Sequence, residues 1–132
     1  MIYGVGVDLV KIERVQRMIE KYGDKFLNRM FTEVEISYSE GRPKSKYLHY
    51  AARFAAKEAL FKAFKGEWKS GIVWRDIEVI NRERGQPELI LHGVAAEIQE
   101  TLGVTGLEIS LTHTRDLAAA VVVAECSGPG PS

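Results

Sequence analysis

Glu58 and Lys62 stand one helical turn apart in the segment Phe54-Ala-Ala-Lys-Glu-Ala-Leu-Phe-Lys-Ala-Phe64. On a helical wheel Ala51, Phe54, Ala55, Phe61 and Lys62 fall within about 60° of Glu58, whereas Lys57 and Arg53 point well away. A carboxylate on so apolar a face leaves the water. If ionised there, it needs a cation, a metal or strong donors, because an uncompensated buried charge is costly or takes up a proton. Lys62 offers one such cation. Taken alone, the pair also reads as an i,i+4 surface ion pair worth about 0.2–0.5 kcal/mol, so its chemistry depends on what else the chain brings to it.

Two other segments carry groups suited to metal and phosphate. Met1-Ile-Tyr-Gly-Val-Gly-Val-Asp-Leu-Val10 alternates as a strand, with Tyr3, Val5, Val7 and Leu9 on one face and Gly4, Gly6 and Asp8 on the other. Glycine weakens a strand unless something must approach the backbone, so these two glycines point to a bulge, a crowded helix or a ligand beside Asp8. Asp is disfavoured within strands and is there a turn-former or a site residue. Near the other end, Leu107 to His113 alternates as a strand, Thr114-Arg-Asp116 makes a turn, and Ala118 to Glu125 reads as the return. Ser110 and Thr112 share a face with Glu108, opposite Leu107, Ile109 and Leu111, and the strand end delivers His113 and Thr114. Hydroxyls and an imidazole can bind phosphate.

Further elements must position these groups. A first helix is expected from about Lys11 to Lys21, with Ile12, Val15 and Ile19 as its core stripe. Arg14, Arg17, Lys21 and Lys25 form a basic ridge with Met18 beside it, a surface either simply solvated or fit to dock an acidic helix. Residues 41–46 read as a loop, 47–65 as a long helix, 72–80 as a strand, 81–87 as a turn, 88–92 as its return strand and 94–102 as a short helix. The expected fold is a single compact α+β domain over 1–126, its antiparallel sheet packed against the long helix, with a disordered Gly/Pro-rich tail at 127–132.

Composition agrees: 132 residues, 45% hydrophobic and 27% charged, describe an ordinary soluble globule. The formal net charge of zero argues against a nucleic-acid binder held by bulk electrostatics. The single Cys126 excludes an intrachain disulfide framework. The N-terminal apolar run lacks a basic leader, and no stretch approaches the roughly 20 apolar residues of a membrane span, so a cytoplasmic protein without membrane attachment is expected.

Gly6-Val-Asp-Leu-Val-Lys-Ile-Glu-Arg14, Phe54-Ala-Ala-Lys-Glu-Ala-Leu-Phe-Lys-Ala63 and Ser110-Leu-Thr-His-Thr114, in this order and spacing, resemble the signature motifs of the holo-acyl-carrier-protein synthases. The resemblance runs from Met1 to about Glu125, with Thr112 where relatives often carry serine and Phe54 where they carry tryptophan. It implies a 4′-phosphopantetheinyl transferase that moves the phosphopantetheine arm of coenzyme A to a serine of apo acyl carrier protein and releases adenosine 3′,5′-bisphosphate, in support of fatty acid biosynthesis. It also implies Mg²⁺ on Asp8 and Glu58, with Lys62 near the transferred phosphate. Coenzyme A is expected near Lys57, Lys62, the Gly85-Gln-Pro87 segment, Thr112, His113 and Thr114, and the carrier on Arg14, Arg17, Met18, Lys21 and Lys25. Glu58, or a metal-bound water that it orients, would accept the serine proton. A homotrimer is implied, with active sites at subunit junctions. Two other classes fit the same residues: a metal-dependent nucleotide phosphoesterase, and a non-catalytic module for an acidic helical partner.

Overall fold

The computed structural model describes residues 1–68 and 71–127. Of the tail expected over 127–132, residues 128–132 lie outside the described residues. Strand β1 (Ile2–Lys11) runs directly into helix α1 (Ile12–Tyr22), followed by α2 (Asp24–Met30), α3 (Glu33–Glu40) and the long α4 (Lys46–Ala63). After a 3-10 turn at Trp74–Asp76 come β2 (Ile77–Asn81), β3 (Pro87–Leu91), α5 (Gly93–Thr101), β4 (Val104–His113) and β5 (Leu117–Cys126).

The strands form a three-stranded antiparallel sheet in the order β1-β5-β4 and a separate β2-β3 hairpin. Helix α4 lies across the larger sheet, as the sequence led us to expect. Its seat on β1 requires both glycines: a Cβ added at Gly4 would come 2.1 Å from the carbonyl oxygen of Ala63, and one at Gly6 would come 1.8 Å from that of Ala59. The crowded helix is realised at Gly4 and Gly6, and the pairing of β1 with β5 also shifts register between Ile2 and Gly4. The core fills from α4 (Tyr50, Ala51, Ala55, Leu60), the inner residues of β5 (Ala118, Ala120, Val122, Ala124) and Val15, Phe31, Phe64, Ile77 and Val79.

Register sets what the sheet presents on each side. Asp8 pairs with Ala120, Val10 with Ala118, and Ala118 in turn with His113, so Asp8 and His113 share the helix-facing side with β5 between them. On the outer side Val5 pairs with Val123, Val7 with Val121 and Leu9 with Ala119, and β4 contributes Glu108, Ser110 and Thr112. Val5, Val7 and Leu9 are 52%, 54% and 61% exposed, an apolar strip left open to solvent in the single chain.

Two sequence expectations are corrected. Residues 24–40, for which no element was expected, form α2 and α3, the latter opened by a capping box in which the Thr32 hydroxyl accepts from the Glu35 backbone N–H and the Glu35 carboxylate accepts from the Thr32 N–H. The strand expected from Ile72 begins only at Ile77, because Trp74–Asp76 turns as a 3-10 helix. That turn brings the Trp74 and Ile77 carbonyls together, three residues apart, where both accept from the ammonium of Lys57.

Candidate active site

Asp8, Glu58 and Lys62 meet where α4 crosses β1. Lys62 Nζ donates to Asp8 Oδ1 at 3.0 Å and to the Val7 carbonyl at 3.2 Å. Lys62 is 52% exposed and Asp8 only 16%, so the carboxylate is sheltered and its counter-ion reaches in from solvent. Glu58, half-buried beside them, is held above the ordinary carboxylate range by burial and then by the neighbouring negative charge of Asp8, with Lys62 and Arg14 offsetting part of the shift. Two acids from different elements thus face one volume, with one ammonium already drawn to it.

Such a donor set fits a hard divalent cation. Mg²⁺ keeps several waters and takes one or two carboxylates together with substrate phosphates, so it does not need a cage of three or more protein ligands. No group of three or more potential ligands occurs among the described residues. Lys62, 3.0 Å from Asp8, occupies the position of a cation in the same field.

A second feature opens further along α4. Tyr38, His49, Arg53, Asn81, Pro87 and His113 are among the residues lining a cleft between α4, the β2-β3 turn and the end of β4. The Arg53 guanidinium lies 4.1 Å from the Tyr38 ring centroid and bonds Asn81 Oδ1 at 2.5 Å, while the Arg42 guanidinium lies 3.6 Å from the same ring. Burial, then the charges of Arg53, Arg42 and His113, lower the affinity of His49 for a proton. Cations, an aromatic ring and hydroxyls around an open cleft suit a phosphorylated nucleotide.

Gly85, Pro87, Thr112 and His113 all border this cleft. Gly85 has φ of +80°, which closes the tight turn whose carbonyl accepts from the Asn81 side chain at 3.0 Å. Thr114 lies outside it. Its hydroxyl oxygen accepts from the backbone N–H groups of Asp116 and Leu117, at 3.3 and 3.1 Å, and so shapes the β4-β5 turn. Asp8, Glu58 and Lys62 do not line the cleft either, since Glu58 is nine residues beyond His49, about 13 Å along the helix.

Lys57 departs from expectation. It is fully buried, and its ammonium donates to Glu35 Oε1 at 2.8 Å, to the Trp74 carbonyl at 3.1 Å and to the Ile77 carbonyl. With all three protons engaged inside the domain, Lys57 has none to offer coenzyme A. Burial lowers its pKa and Glu35 opposes that shift.

The basic ridge is present: Arg14, Arg17 and Lys21 on α1 and Lys25 on α2 are exposed, Met18 is half-exposed, and Val15 and Ile19 are buried beneath. Arg17 is tied to Glu13 at 2.5 Å. Beside the ridge, Met18, Tyr22, Lys25, Phe26 and Arg29 line an apolar groove with a cationic rim. Tyr22, Phe26 and Arg29 had not been singled out. Their signal was the continuation of the ridge past Gly23 into α2.

Comparison with known proteins gives the family. The sequence model of the 4′-phosphopantetheinyl transferase superfamily matches residues 4–122. The holo-[acyl-carrier-protein] synthase of Solibacter usitatus is 52% identical over 125 residues, 95% of this chain and 99% of that protein. The chain belongs to the holo-acyl-carrier-protein synthase family of 4′-phosphopantetheinyl transferases. Among solved structures, the holo-acyl-carrier-protein synthase of Neisseria meningitidis is similar with a TM-score of 0.84 at 34% identity, covering 95% of this chain and 99% of that one. The Helicobacter pylori synthase, solved in complex with coenzyme A, is similar with a TM-score of 0.79 at 26% identity, covering 92% and 99%. No helix among the described residues of the chain is long and apolar enough to cross a membrane.

Proposed function

We propose that this protein is a Mg²⁺-dependent, cytoplasmic transferase that moves 4′-phosphopantetheine from coenzyme A to a serine of apo acyl carrier protein, supporting fatty acid biosynthesis. The observation that carries the reading is the convergence of Asp8, Glu58 and Lys62 at the crossing of β1 and α4. The serine oxygen attacks the coenzyme A phosphorus that bears the pantetheine arm. The bond from that phosphorus to the oxygen of adenosine 3′,5′-bisphosphate breaks, and the bisphosphate leaves.

Asp8 and Glu58 would hold Mg²⁺, which when bound supplies positive charge to the pyrophosphate oxygens. Lys62 stabilises the charge that builds on the leaving bisphosphate, since its exposed ammonium can turn from Asp8 to a phosphate oxygen. Glu58, or a water that it orients, takes the serine proton. Arg53, Thr112 and His113, with the Gly85-Gln-Pro87 turn, receive the nucleotide in their cleft. Arg14, Arg17, Met18, Lys21 and Lys25 receive the acidic carrier, whose apolar contacts extend into the groove at Phe26.

The protein works as a homotrimer in this reading. Its support is the open apolar strip of Val5, Val7 and Leu9, together with the separation of the acid pair from the nucleotide cleft in one chain, which a neighbouring subunit would bridge.

Release of adenosine 3′,5′-bisphosphate, followed by chromatography with and without apo carrier, tests the proposal. Release only when carrier is present supports transfer. Equal release without carrier makes the protein a phosphoesterase acting on coenzyme A.

A further inference from the structure

Across α4 from the acids lies a polar cluster that the transfer chemistry leaves unused. Lys57 and Glu35 are both completely buried and directly paired. Each Glu35 oxygen has its own work: Oε1 accepts from Lys57 and from the Thr32 N–H, both at 2.8 Å, and Oε2 accepts from the Val79 N–H at 2.9 Å. One carboxylate therefore joins the start of α3, the middle of α4 and strand β2. Lys57 completes the joint by donating to the Trp74 and Ile77 carbonyls.

Such a cluster contributes little net stability. Replacing a buried ion pair by apolar groups of similar volume is often neutral or stabilising, so a pair of this kind matters most where it fixes one arrangement among several. Here the arrangement at stake is the rotation of α4. On its other side the helix rests on Gly4 and Gly6, where bare backbone meets bare backbone. That contact sets the separation of helix and strand but has no side chain to lock their relative rotation. Lys57 does, and the next residue is Glu58.

We propose that Lys57 and Glu35 are a positioning pair for the reaction, holding α4 at the rotation that turns Glu58 and Lys62 toward Asp8. This rests on the transferase reading above. It gives Lys57 a role that requires no contact with coenzyme A.

Its test is Mn²⁺ binding, read from the electron paramagnetic resonance signal of free Mn²⁺ in the presence of coenzyme A, which needs no turnover. The paired substitution Glu35→Gln with Lys57→Met removes both charges together, so that neither is buried without its counter-charge. A second variant, Glu35→Asp, keeps the ion pair but draws the anchor back by one methylene, and it decides the matter if the first does not fold. In variants that melt cooperatively, Mn²⁺ binding weakens by about 10–100-fold and kcat falls in parallel, as for residues that orient metal ligands. The KM for apo carrier stays at the wild-type value, because the ridge on α1 is untouched. Wild-type Mn²⁺ affinity and kcat in a folded variant overturn the proposal, as does a wild-type protein that binds no Mn²⁺. A wild-type protein that binds Mn²⁺ with coenzyme A but modifies no carrier removes the transferase reading alone, since the comparison of variants remains.

Discussion

A Cβ placed on Gly6 would lie 1.8 Å from the carbonyl oxygen of Ala59. Strand β1 carries Asp8 two residues later, and helix α4 carries Glu58 one residue earlier, so this bare contact sets the separation between the acids. Gly6→Ala must push helix and strand apart. Overpacking of this kind costs about 1–3 kcal/mol. The expected outcome is a lower melting temperature together with a loss of metal-dependent transfer, and wild-type behaviour in both would show that the contact has slack.

Lys62 separates activity from stability. Its ion pair with Asp8 is half open to solvent, and exposed pairs contribute roughly 0–1 kcal/mol. Lys62→Met is therefore expected to leave the melting temperature almost unchanged. Removal of one preorganised charge from a transition state costs about 10²–10³ in kcat, and that loss is expected in steady-state assays.

Glu78 predicts a pH dependence of stability. Burial alone would raise its pKa, but hydrogen bonds from Thr32 Oγ1 at 2.5 Å and from His92 Nε2 at 3.0 Å carry it below the ordinary value. The folded state thus binds this proton less readily than the unfolded chain. The stabilisation is present in full above the ordinary value of 4.5 and is lost as pH falls through the lowered folded value. Denaturant titrations of Glu78→Gln below that value are expected to show a shallower acid-side loss than the wild type.

Arg14 lies near enough to Glu58 to offset part of its pKa rise, yet it also stands on the exposed ridge of α1. Arg14→Glu is expected to raise the KM for apo carrier more than that for coenzyme A, and to weaken the salt dependence of carrier association. Equal loss toward both substrates would place the carrier elsewhere.

The strip of Val5, Val7 and Leu9 predicts association. Val7→Glu is expected to convert a trimer to monomers in sedimentation experiments and to depress transfer, while the helix content measured by circular dichroism persists. A wild-type protein that sediments as a monomer would contradict the trimeric reading.

The candidate site residues were legible in the sequence because each sits in a regular pattern: Glu58 and Lys62 at helical spacing, Asp8 at strand alternation beside two glycines, His113 at a strand end. The burial of Lys57 was not. A helical wheel gives only its angle from Glu58, and α4 is enclosed on nearly every side, so a cation pointing away from the acids enters a second interior, made by α3 and β2, and not water. The Thr-x-x-Glu spacing at 32–35 was the available clue to its partner, since it marks a capping box and hence a helix in 24–40. Residues 72–76 misled for a related reason. The apolar run Ile72-Val73-Trp74 extends the strand pattern back from Ile77, but the Trp74 carbonyl is drawn inward to Lys57, and no sequence pattern reports that.

The measurement that bears most directly on the account is the intact mass of apo acyl carrier protein after incubation with coenzyme A and wild-type protein, with Mg²⁺ present or chelated, set beside Asp8→Asn and Glu58→Gln. The account predicts the gain of one phosphopantetheine arm only with Mg²⁺ and wild-type protein, and an unmodified carrier with either variant. Full modification by either variant, or in the presence of chelator, would contradict the assignment of Asp8 and Glu58 to a metal-dependent transfer.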